Sequence, residues 1–217
     1  MPAALKLKTV KFDANAIDNF DIETVAKALR NGQIILYPTE TLYGLGVNIY
    51  REDALKKLAE LKGRQSHKPF SCMISCPNDL TTLCREVPLY VENLINFFWP
   101  GPVTFVLKAD DSVPRSVVSS KSKIGLRYPS HPFTRVLMQV HPQPVVSTSA
   151  NFVGQPAPAT IEDVSEELLN SVDLAIDAGP CKWQRPSTVV DVSETEPVLL
   201  REGAIPFAKI IQCFEGA

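Results

Sequence analysis

The chain has 217 residues, of which 45% are hydrophobic and 21% charged, values typical of a globular protein with a sizeable core. Its 22 Lys and Arg residues are balanced by 24 Asp and Glu, so the formal net charge of −2 argues against a protein that coats nucleic acid by bulk charge. No apolar run reaches the roughly 20 residues that a transmembrane helix needs, so we expect no contact with a membrane.

The predicted elements alternate between strands and helices. In chain order, hydrophobic periodicity predicts a strand at 8–12, a helix at 22–30, a strand at 33–37, a helix at 53–61, a strand at 70–74, helices at 78–85 and 89–98, strands at 103–107 and 124–127, a helix at 132–140, a strand at 145–147, a helix at 161–171, strands at 174–176, 188–192 and 198–200, and a helix at 207–214. Asp21 is expected to cap the first helix, and Thr160 the helix at 161–171.

This alternation, with short connections, is typical of an α/β fold, and the strand-rich last part of the chain indicates a mixed sheet. No linker or internal repeat interrupts the pattern. We therefore expect a single domain over residues 1–217, with its core at about 18–206.

Cysteine and histidine spacing excludes several classes of protein. The five cysteines include no CxxC pair, and the three histidines show no HxxxH spacing. A secreted disulfide framework, a zinc ribbon and a histidine-rich metal site are therefore not expected. We expect reduced thiols and a cytoplasmic location.

Common catalytic motifs are also missing. The sequence contains no P-loop and no GxSxG elbow, and the glycines at 44 and 46 lack the third glycine of a dinucleotide fingerprint. An enzyme with this sequence is expected to work without a protein nucleophile.

Polar loops follow several predicted strands, at the edge where α/β sheets gather their ligands. The loop at 37–46 mixes hydroxyls, an aromatic ring and two glycines, and it either binds a polar ligand or is only a tight turn. The segment at 147–151, with Ser147, Ser149 and Asn151, suits phosphate or carboxylate oxygens, or is an ordinary polar turn.

Cations stand at the ends of other predicted elements. Lys62 and Arg64 flank a glycine and could close on a polyphosphate, although cations at the end of a helix also interact favourably with its dipole. Further candidates at predicted strand edges are Arg127, Ser187 and Arg201, where a lone arginine is more often solvated or paired.

Together these segments resemble the YrdC-like domain family over nearly the whole chain. The motifs that carry the resemblance are PTETLYGLG at 38–46, KxR at Lys62 and Arg64, WPGPVT at 99–104, the segment at 124–129, SxN at Ser149 and Asn151, STVVD at 187–191 and the segment at 200–203. Each motif is modest alone, but their order is specific. The resemblance is to the short, single-domain form of the family.

The resemblance implies an α/β twisted mixed sheet, flanked by helices around a large basic concave pocket. Because the active members of the family are threonylcarbamoyl-AMP synthases, it also implies a nucleotidyltransferase. L-threonine, bicarbonate or CO2, and ATP would give threonylcarbamoyl-adenylate and pyrophosphate, with Mg²⁺ held mainly by the ATP phosphates. Partner proteins would then move the threonylcarbamoyl group to adenosine 37 of tRNAs that read ANN codons.

The matched motifs also imply a role for each residue. The catalytic set would be Lys62, Arg64, Ser149 and Asn151. The same four residues and Arg201 would bind ATP. The threonine site would be formed by Thr39, Arg127, Ser147 and Ser187.

Three positions depart from the usual synthase pattern. Gln65 and Lys68 follow the KxR motif where many synthases have Pro and Asn, and Pro186 replaces a common Glu. These features look like the YciO-type subgroup, so the alternative is a YciO-type or RNA-binding module that holds double-stranded RNA or tRNA without making the adenylate. The complete KxR and SxN set favours a working synthase, and the acidic net charge weighs against the RNA module. A more distant alternative is carbamoyl-adenylate chemistry, as in the hydrogenase-maturation relatives.

Overall fold

A computed structural model describes residues 8–63 and 70–216. Its strands are β1 (Lys8–Lys11), β2 (Ile35–Tyr37), β3 (Gly44–Gly46), β4 (Ser71–Met73), β5 (Cys84–Glu86), β6 (Val103–Ala109), β7 (Lys123–Arg127), β8 (Val145–Ser149), β9 (Leu174–Asp177), β10 (Thr188–Asp191) and β11 (Val198–Arg201). Its helices are α1 (Ile22–Arg30), α2 (Glu52–Leu61), α3 (Leu80–Leu83), α4 (Tyr90–Phe98), α5 (Pro132–Val140), α6 (Glu166–Leu169) and α7 (Phe207–Glu215). None of these helices is long and apolar enough to cross a membrane.

The strands form one mixed sheet. Their order is β1-β9-β2-β3-β8-β4-β7-β6-β10-β11, and β5 pairs with β6 outside this path. Parallel ladders join β9 to both β1 and β2, β4 to β7, and β6 to β10. The other pairs are antiparallel. The predicted α/β fold with a twisted mixed sheet is confirmed.

The two faces of the sheet are covered differently. Residues that pair across neighbouring strands share a face, and one such row is buried in the core formed with α2, α4 and α7: Val146, Cys72, Leu126 and Phe105. The opposite face is covered by α1 and α5, which pack over β2 and β9 and reach as far as Met73 and Val145. Beyond these two residues the face becomes polar, and the candidate site opens there.

Helix α1 follows its sequence signals closely. The carboxylate of Asp21 accepts a hydrogen bond from the N–H of Thr24 at 3.1 Å, which satisfies a donor of the first turn. Val25 and Leu29 are buried at helical spacing, and burial of each such side chain contributes about 1.5–3 kcal/mol. The predicted bounds and cap of this helix are confirmed.

The helix predicted at 78–85 is wrong in length, because only the turn α3 is α-helical and the chain then enters strand β5. The carboxylate of Asp79 accepts a hydrogen bond from the N–H of Ser75 at 2.7 Å, which fixes the preceding turn. Cys84 pairs with Ala109 in the sheet. Strand pairing therefore overrides the local helical pattern.

The helix predicted at 161–171 is also wrong in extent, and Thr160 is not its cap. Asp163 accepts a hydrogen bond from the N–H of Thr160 at 3.0 Å, so this part of the chain folds as a turn. Ser165 caps the shorter helix α6 by accepting from the N–H of Leu168 at 3.4 Å.

Strand β3 lies inside the segment predicted to be a loop, and it pairs antiparallel with β2 and β8. Periodicity missed it because two of its three residues are glycine, which is rare in strands. A Cβ at Gly46 would lie only 2.7 Å from Cε1 of Tyr37. The tyrosine ring therefore packs directly on the backbone of β3, which needs glycine at this position.

Candidate functional site

A hollow of about 390 Å³ opens on the partly covered face of the sheet. Nine of its lining residues carry hydroxyl groups and two carry guanidinium groups, and no carboxylate is among the lining residues in the described ranges. The polar lining residues are Thr39, Thr41, Tyr43, Ser71, Thr104, Arg127, Ser147, Thr148, Ser149, Asn151, Gln155, Ser187 and Arg201. Such a surface suits an anionic ligand rich in oxygen atoms.

Small side chains keep the floor of the hollow open. Ser71 pairs with Ser147 on one side and with Gly125 on the other, so a row of small residues crosses the face. A Cβ at Gly125 would lie 3.3 Å from Oγ of Ser71. The same face continues into a second hollow of about 340 Å³, which shares Ser71 with the first. The concave surface is therefore larger than the first hollow alone.

The loop after β2 is closed by the hydroxyl of Thr39. This hydroxyl donates to the carbonyl of Leu42 at 2.7 Å and accepts from the N–H groups of Thr41 and Leu42, both at 3.1 Å. One donor and two acceptor positions are all that a hydroxyl has. The turn therefore uses the hydroxyl of Thr39 fully and fixes the shape of this wall.

Arg127, at the end of β7, forms a buried ion pair with Glu40, which lies in the loop after β2. Nη2 of Arg127 lies 2.8 Å from Oε1 of Glu40, and the two side chains are only 6% and 4% exposed. Burial alone would raise the pKa of the Glu40 carboxyl, but the guanidinium outweighs it and holds this pKa below its ordinary value. Nε of Arg127 also lies 3.3 Å from the carbonyl of Gly101.

The alignment of this pair leaves its polar atoms unsatisfied. Nη2 of Arg127 and both carboxylate oxygens of Glu40 are buried without a hydrogen bond of good geometry. Buried polar atoms of this kind are rare and call for an explanation. Sequence analysis did not single out Glu40, although it is the one acidic residue among the hydroxyls of the PTETLYGLG motif.

Arg201 reaches the hollow because β11 carries a bulge. Val190 pairs with Leu199, but Val189 pairs with Arg201, so Leu200 is an extra residue opposite β10. In a regular strand of the same sequence, Leu200 would pair with Val189 and Arg201 would share the face of Leu199, because alternate strand residues lie on the same face.

A hydrogen-bond network then holds the Arg201 guanidinium. Nη2 of Arg201 donates to the carbonyl of Ser187 at 2.9 Å and to its hydroxyl at 3.1 Å. The Ser187 hydroxyl is 2.9 Å from that of Thr104. Burial, and then the positive charge of Arg127, lower the pKa of Arg201. Arg127 and Arg201 are therefore close enough for their positive charges to repel each other.

Lys62 contacts the wall of the hollow that Ser149 and Asn151 form. It follows the end of α2 and is only 7% exposed, and its Nζ donates to the carbonyl of Ser149 at 2.8 Å and to Oδ1 of Asn151 at 3.2 Å. The carbonyl of Asn151 is a further acceptor. The Ser149 hydroxyl donates to Oδ1 of Asn151 at 2.6 Å. Lys62 thus joins the KxR motif to the SxN motif.

The structure brings most of the predicted site together. The predicted residues that line the one hollow are Thr39, Arg127, Ser147, Ser149, Asn151, Ser187 and Arg201. Lys62 contacts its wall without lining it. Arg64, Gln65 and Lys68 lie outside the described residues.

Comparison with known proteins identifies the family. The model of the Sua5/YciO/YrdC family, described as "Telomere recombination", matches residues 27–203. The chain belongs to this family. Its motifs and its sheet are those of a Sua5/YciO/YrdC domain.

Relatives within the family carry synthase names. The threonylcarbamoyl-AMP synthase of Pyrococcus abyssi is 36% identical over 89% of this chain and 57% of its own length. The putative threonylcarbamoyl-AMP synthase of Methanocaldococcus jannaschii is 36% identical over 88% of this chain and 90% of its own. This chain thus spans little more than half of the first relative and most of the second.

Solved structures agree with this fold. P. abyssi Sua5 complexed with L-threonine matches with a TM-score of 0.88 and 34% identity, over 95% of this chain and 60% of that one. E. coli YciO matches with a TM-score of 0.79 and 27% identity, over 91% of this chain and 96% of that one. Identity is higher to the synthases than to YciO, despite the YciO-like Pro186.

Proposed function

We propose that this chain is a threonylcarbamoyl-AMP synthase, acting as a single domain in the cytoplasm. It would convert L-threonine, bicarbonate or CO2, and ATP into threonylcarbamoyl-adenylate and pyrophosphate. The observation that carries the proposal is the convergence of Arg127 and Arg201 with a hydroxyl-rich lining in one hollow. Two guanidinium groups, with no carboxylate among the lining residues that the structure describes, suit a pair of anionic substrates.

ATP binds on the side of the SxN wall. Ser149 and Asn151 contact the nucleotide, and Arg201 reaches the phosphates together with Lys62 and Arg64. Within the described residues, three oxygens accept hydrogen bonds from the Lys62 ammonium, and a phosphate oxygen would replace one of them. This replacement costs little free energy, because one charge-assisted hydrogen bond is exchanged for another.

L-threonine binds on the opposite side of the hollow. Arg127 pairs with its carboxylate, with Ser147 and Ser187 as further donors. The hydroxyl of Thr39 is occupied by its own turn, so this residue contributes the shape of the wall and its methyl group. Because the positive charge of Arg127 lowers the pKa of Arg201, anions bound between the two guanidiniums relieve their repulsion.

The chemistry needs positioning more than a protein nucleophile. The threonine amine attacks CO2 and releases a proton to form a carbamate; when bicarbonate is the source, its dehydration to CO2 releases one oxygen as water. An anionic carbamate oxygen then attacks the α-phosphorus of ATP, and the bond to pyrophosphate breaks. The oxygen is already anionic, so this attack needs no general base. The hollow serves the reaction by bringing anions together and by stabilising charge on the leaving group.

Mg²⁺ supplies further charge neutralisation on the ATP phosphates when it is bound. No cluster of three or more His, Cys, Asp or Glu side chains suited to a metal occurs in the described ranges, and the hollow has a hydroxyl-rich lining. The phosphate oxygens would therefore be its main ligands. Downstream, partner proteins would transfer the threonylcarbamoyl group to adenosine 37 of tRNA.

Threonine-dependent release of pyrophosphate tests the proposal. The purified protein is incubated with ATP, Mg²⁺, bicarbonate and labelled L-threonine, and we expect pyrophosphate and a labelled adenylate that form only when threonine is present. D-threonine and glycine serve as matched substrates. Pyrophosphate release that does not depend on threonine, or no release at all, would contradict the proposal.

The same preparation tests the RNA-binding alternative. Double-stranded RNA and tRNA are titrated into the protein at low and moderate salt, alongside Arg201→Ala. An RNA module would bind with a steep salt dependence and without forming the adenylate. We expect the adenylate activity instead.

A further inference from the structure

The guanidinium of Arg127 is fixed along one edge. Its Nη2 lies 2.8 Å from Glu40 Oε1 and its Nε 3.3 Å from the carbonyl of Gly101. Arg127 also lines the hollow, whereas Glu40 lies behind it. A guanidinium is a planar fork with five donors, so an edge held from behind leaves other donors for a ligand.

Glu40 also ties together two loops that form walls of the hollow. Its carbonyl accepts a hydrogen bond from the N–H of Trp183 at 2.9 Å, and the segment that contains Trp183 leads directly to Ser187. Glu40 thus contacts the end of β7 through its side chain and the segment before β10 through its backbone. A shift of Glu40 would therefore move Arg127 and Ser187, two of the donors assigned to the threonine carboxylate.

Stability alone does not explain a buried ion pair at this position. A buried pair is often no more stabilising than apolar residues of the same volume, since both charges lose their hydration. This pair also leaves Arg127 Nη2 and both Glu40 oxygens without a hydrogen bond of good geometry. The pair is therefore better explained by the position that it gives the Arg127 guanidinium beside the hollow than by a gain in stability.

We propose that Glu40 is a positioning residue, which holds one edge of the Arg127 guanidinium so that its free donors meet the carboxylate of L-threonine. The inference rests on the proposed function, because it assigns Arg127 to that carboxylate. Glu40 does not touch the substrate and acts only through Arg127. The lowered pKa of the Glu40 carboxyl is consistent with this role, because it keeps the residue ionised at neutral pH.

The charge of the hollow gives the proposal a distinctive signature. Arg127 and Arg201 repel each other, and Glu40 offsets one of the two charges. If Glu40 is neutralised, the hollow gains positive charge, so binding of ATP is not weakened. Recognition of threonine is weakened, because it depends on the orientation of Arg127 and not only on charge.

The test compares Glu40→Gln and Glu40→Asp with the unchanged protein, using initial rates of pyrophosphate release. We expect Glu40→Gln to raise KM for L-threonine by about 10- to 100-fold, the range of a lost charge-assisted contact, with KM for ATP unchanged or lower and kcat within about threefold. Glu40→Asp keeps the charge and should be intermediate. Glu23→Gln is the matched control, since Glu23 pairs with Arg30 on the exposed surface, and it should leave all three parameters unchanged.

A double-variant cycle with Arg127→Lys shows whether Glu40 acts through Arg127. On that background Glu40→Gln should have little further effect on KM for threonine. Fully additive effects, or a parallel rise of both KM values with a lower Tm in both variants, would overturn the proposal and leave Glu40 a structural residue. If Glu40→Gln does not fold, Glu40→Asp and its cycle decide in the same way. Failure of the unchanged protein to release pyrophosphate would instead refute the proposed function.

Discussion

The ammonium of Lys62 and the main-chain carbonyl of Ser149 lie 2.8 Å apart, although one follows helix α2 and the other ends strand β8. Two short motifs that are distant in sequence are therefore one unit in space. This unit is the wall to which the proposed function assigns the nucleotide.

Replacement of Lys62 by Ala should therefore strongly reduce the rate of synthesis. Loss of a preorganised cation that stabilises developing charge costs about 2–4 kcal/mol, which corresponds to a rate loss of about 30- to 1000-fold. The rate of pyrophosphate release checks this prediction. Lys57→Ala, at an exposed position of the same helix, is the matched control and should keep its rate. Full activity of Lys62→Ala would refute the phosphate role.

The bulge at Leu200 gives a second prediction. Exchange of Leu200 and Arg201, as the double variant Leu200→Arg with Arg201→Leu, places a leucine opposite Val189 and moves the guanidinium to the unpaired residue of the bulge. We expect loss of threonine-dependent pyrophosphate release with little change in far-UV circular dichroism, because β11 is the last strand of the sheet. Leu200→Ala keeps the extra residue and should stay active. Equal activity of the two variants would show that the bulge does not direct Arg201.

Gly203 gives a third prediction, because its backbone packs directly on the Ser187 segment. A Cβ at this position would lie 2.2 Å from the carbonyl oxygen of Pro186 and 2.5 Å from the carbonyl carbon of Ser187. Gly203→Ala should displace Ser187, which accepts the hydrogen bonds of Arg201. We expect it to lower the free energy of unfolding by about 1–3 kcal/mol and to reduce the rate of pyrophosphate release. Urea unfolding and the pyrophosphate assay measure the two effects. Gly216→Ala, near the end of α7, should change neither one strongly.

His131 predicts how stability depends on pH. Burial lowers the pKa of its imidazole to about 4, whereas an unfolded chain has a histidine pKa of about 6.5. The unfolded state therefore binds the proton first, so stability is complete above about pH 6.5 and falls as the pH drops towards 4. The shift corresponds to a loss of about 3 kcal/mol.

Urea unfolding at pH 7.5 and pH 4.5 measures this loss, and His131→Asn isolates it. The imidazole accepts a hydrogen bond from the N–H of Phe133 at 3.2 Å as the cap of α5, and asparagine can also cap a helix. We expect a smaller difference between the two pH values in the variant. An equal difference in both proteins would contradict the assignment.

Local patterns predicted those parts of the fold that local interactions determine. Helix α1 has its cap and its buried stripe within a few residues, so both of its ends could be predicted. The segment at 161–171 has the same kind of pattern, but residues 161–164 form a turn, and the helix begins only after its cap at Ser165. Strand β3 depends on partners on both sides, and its glycines conceal it.

In the site, too, local motifs could be predicted, whereas contacts between distant parts of the chain could not. Motif resemblance selected Arg127 and Arg201, and both line the hollow. The ion pair with Glu40 joins the loop after β2 to the end of β7, which are far apart in the sequence, and hydrophobic periodicity does not predict such a contact. The bulge that turns Arg201 inwards arises from strand register, which emerges only when β10 and β11 pair.

Thr39 stands near the start of the chain and Arg201 near the last strand, yet both face the same hollow. During translation, the cleft can therefore close only after almost every element has left the ribosome. A nascent or truncated polypeptide without β11 lacks one cationic wall. Under the proposed function, incomplete molecules should release no pyrophosphate, because the site is among the last features that the growing polypeptide completes.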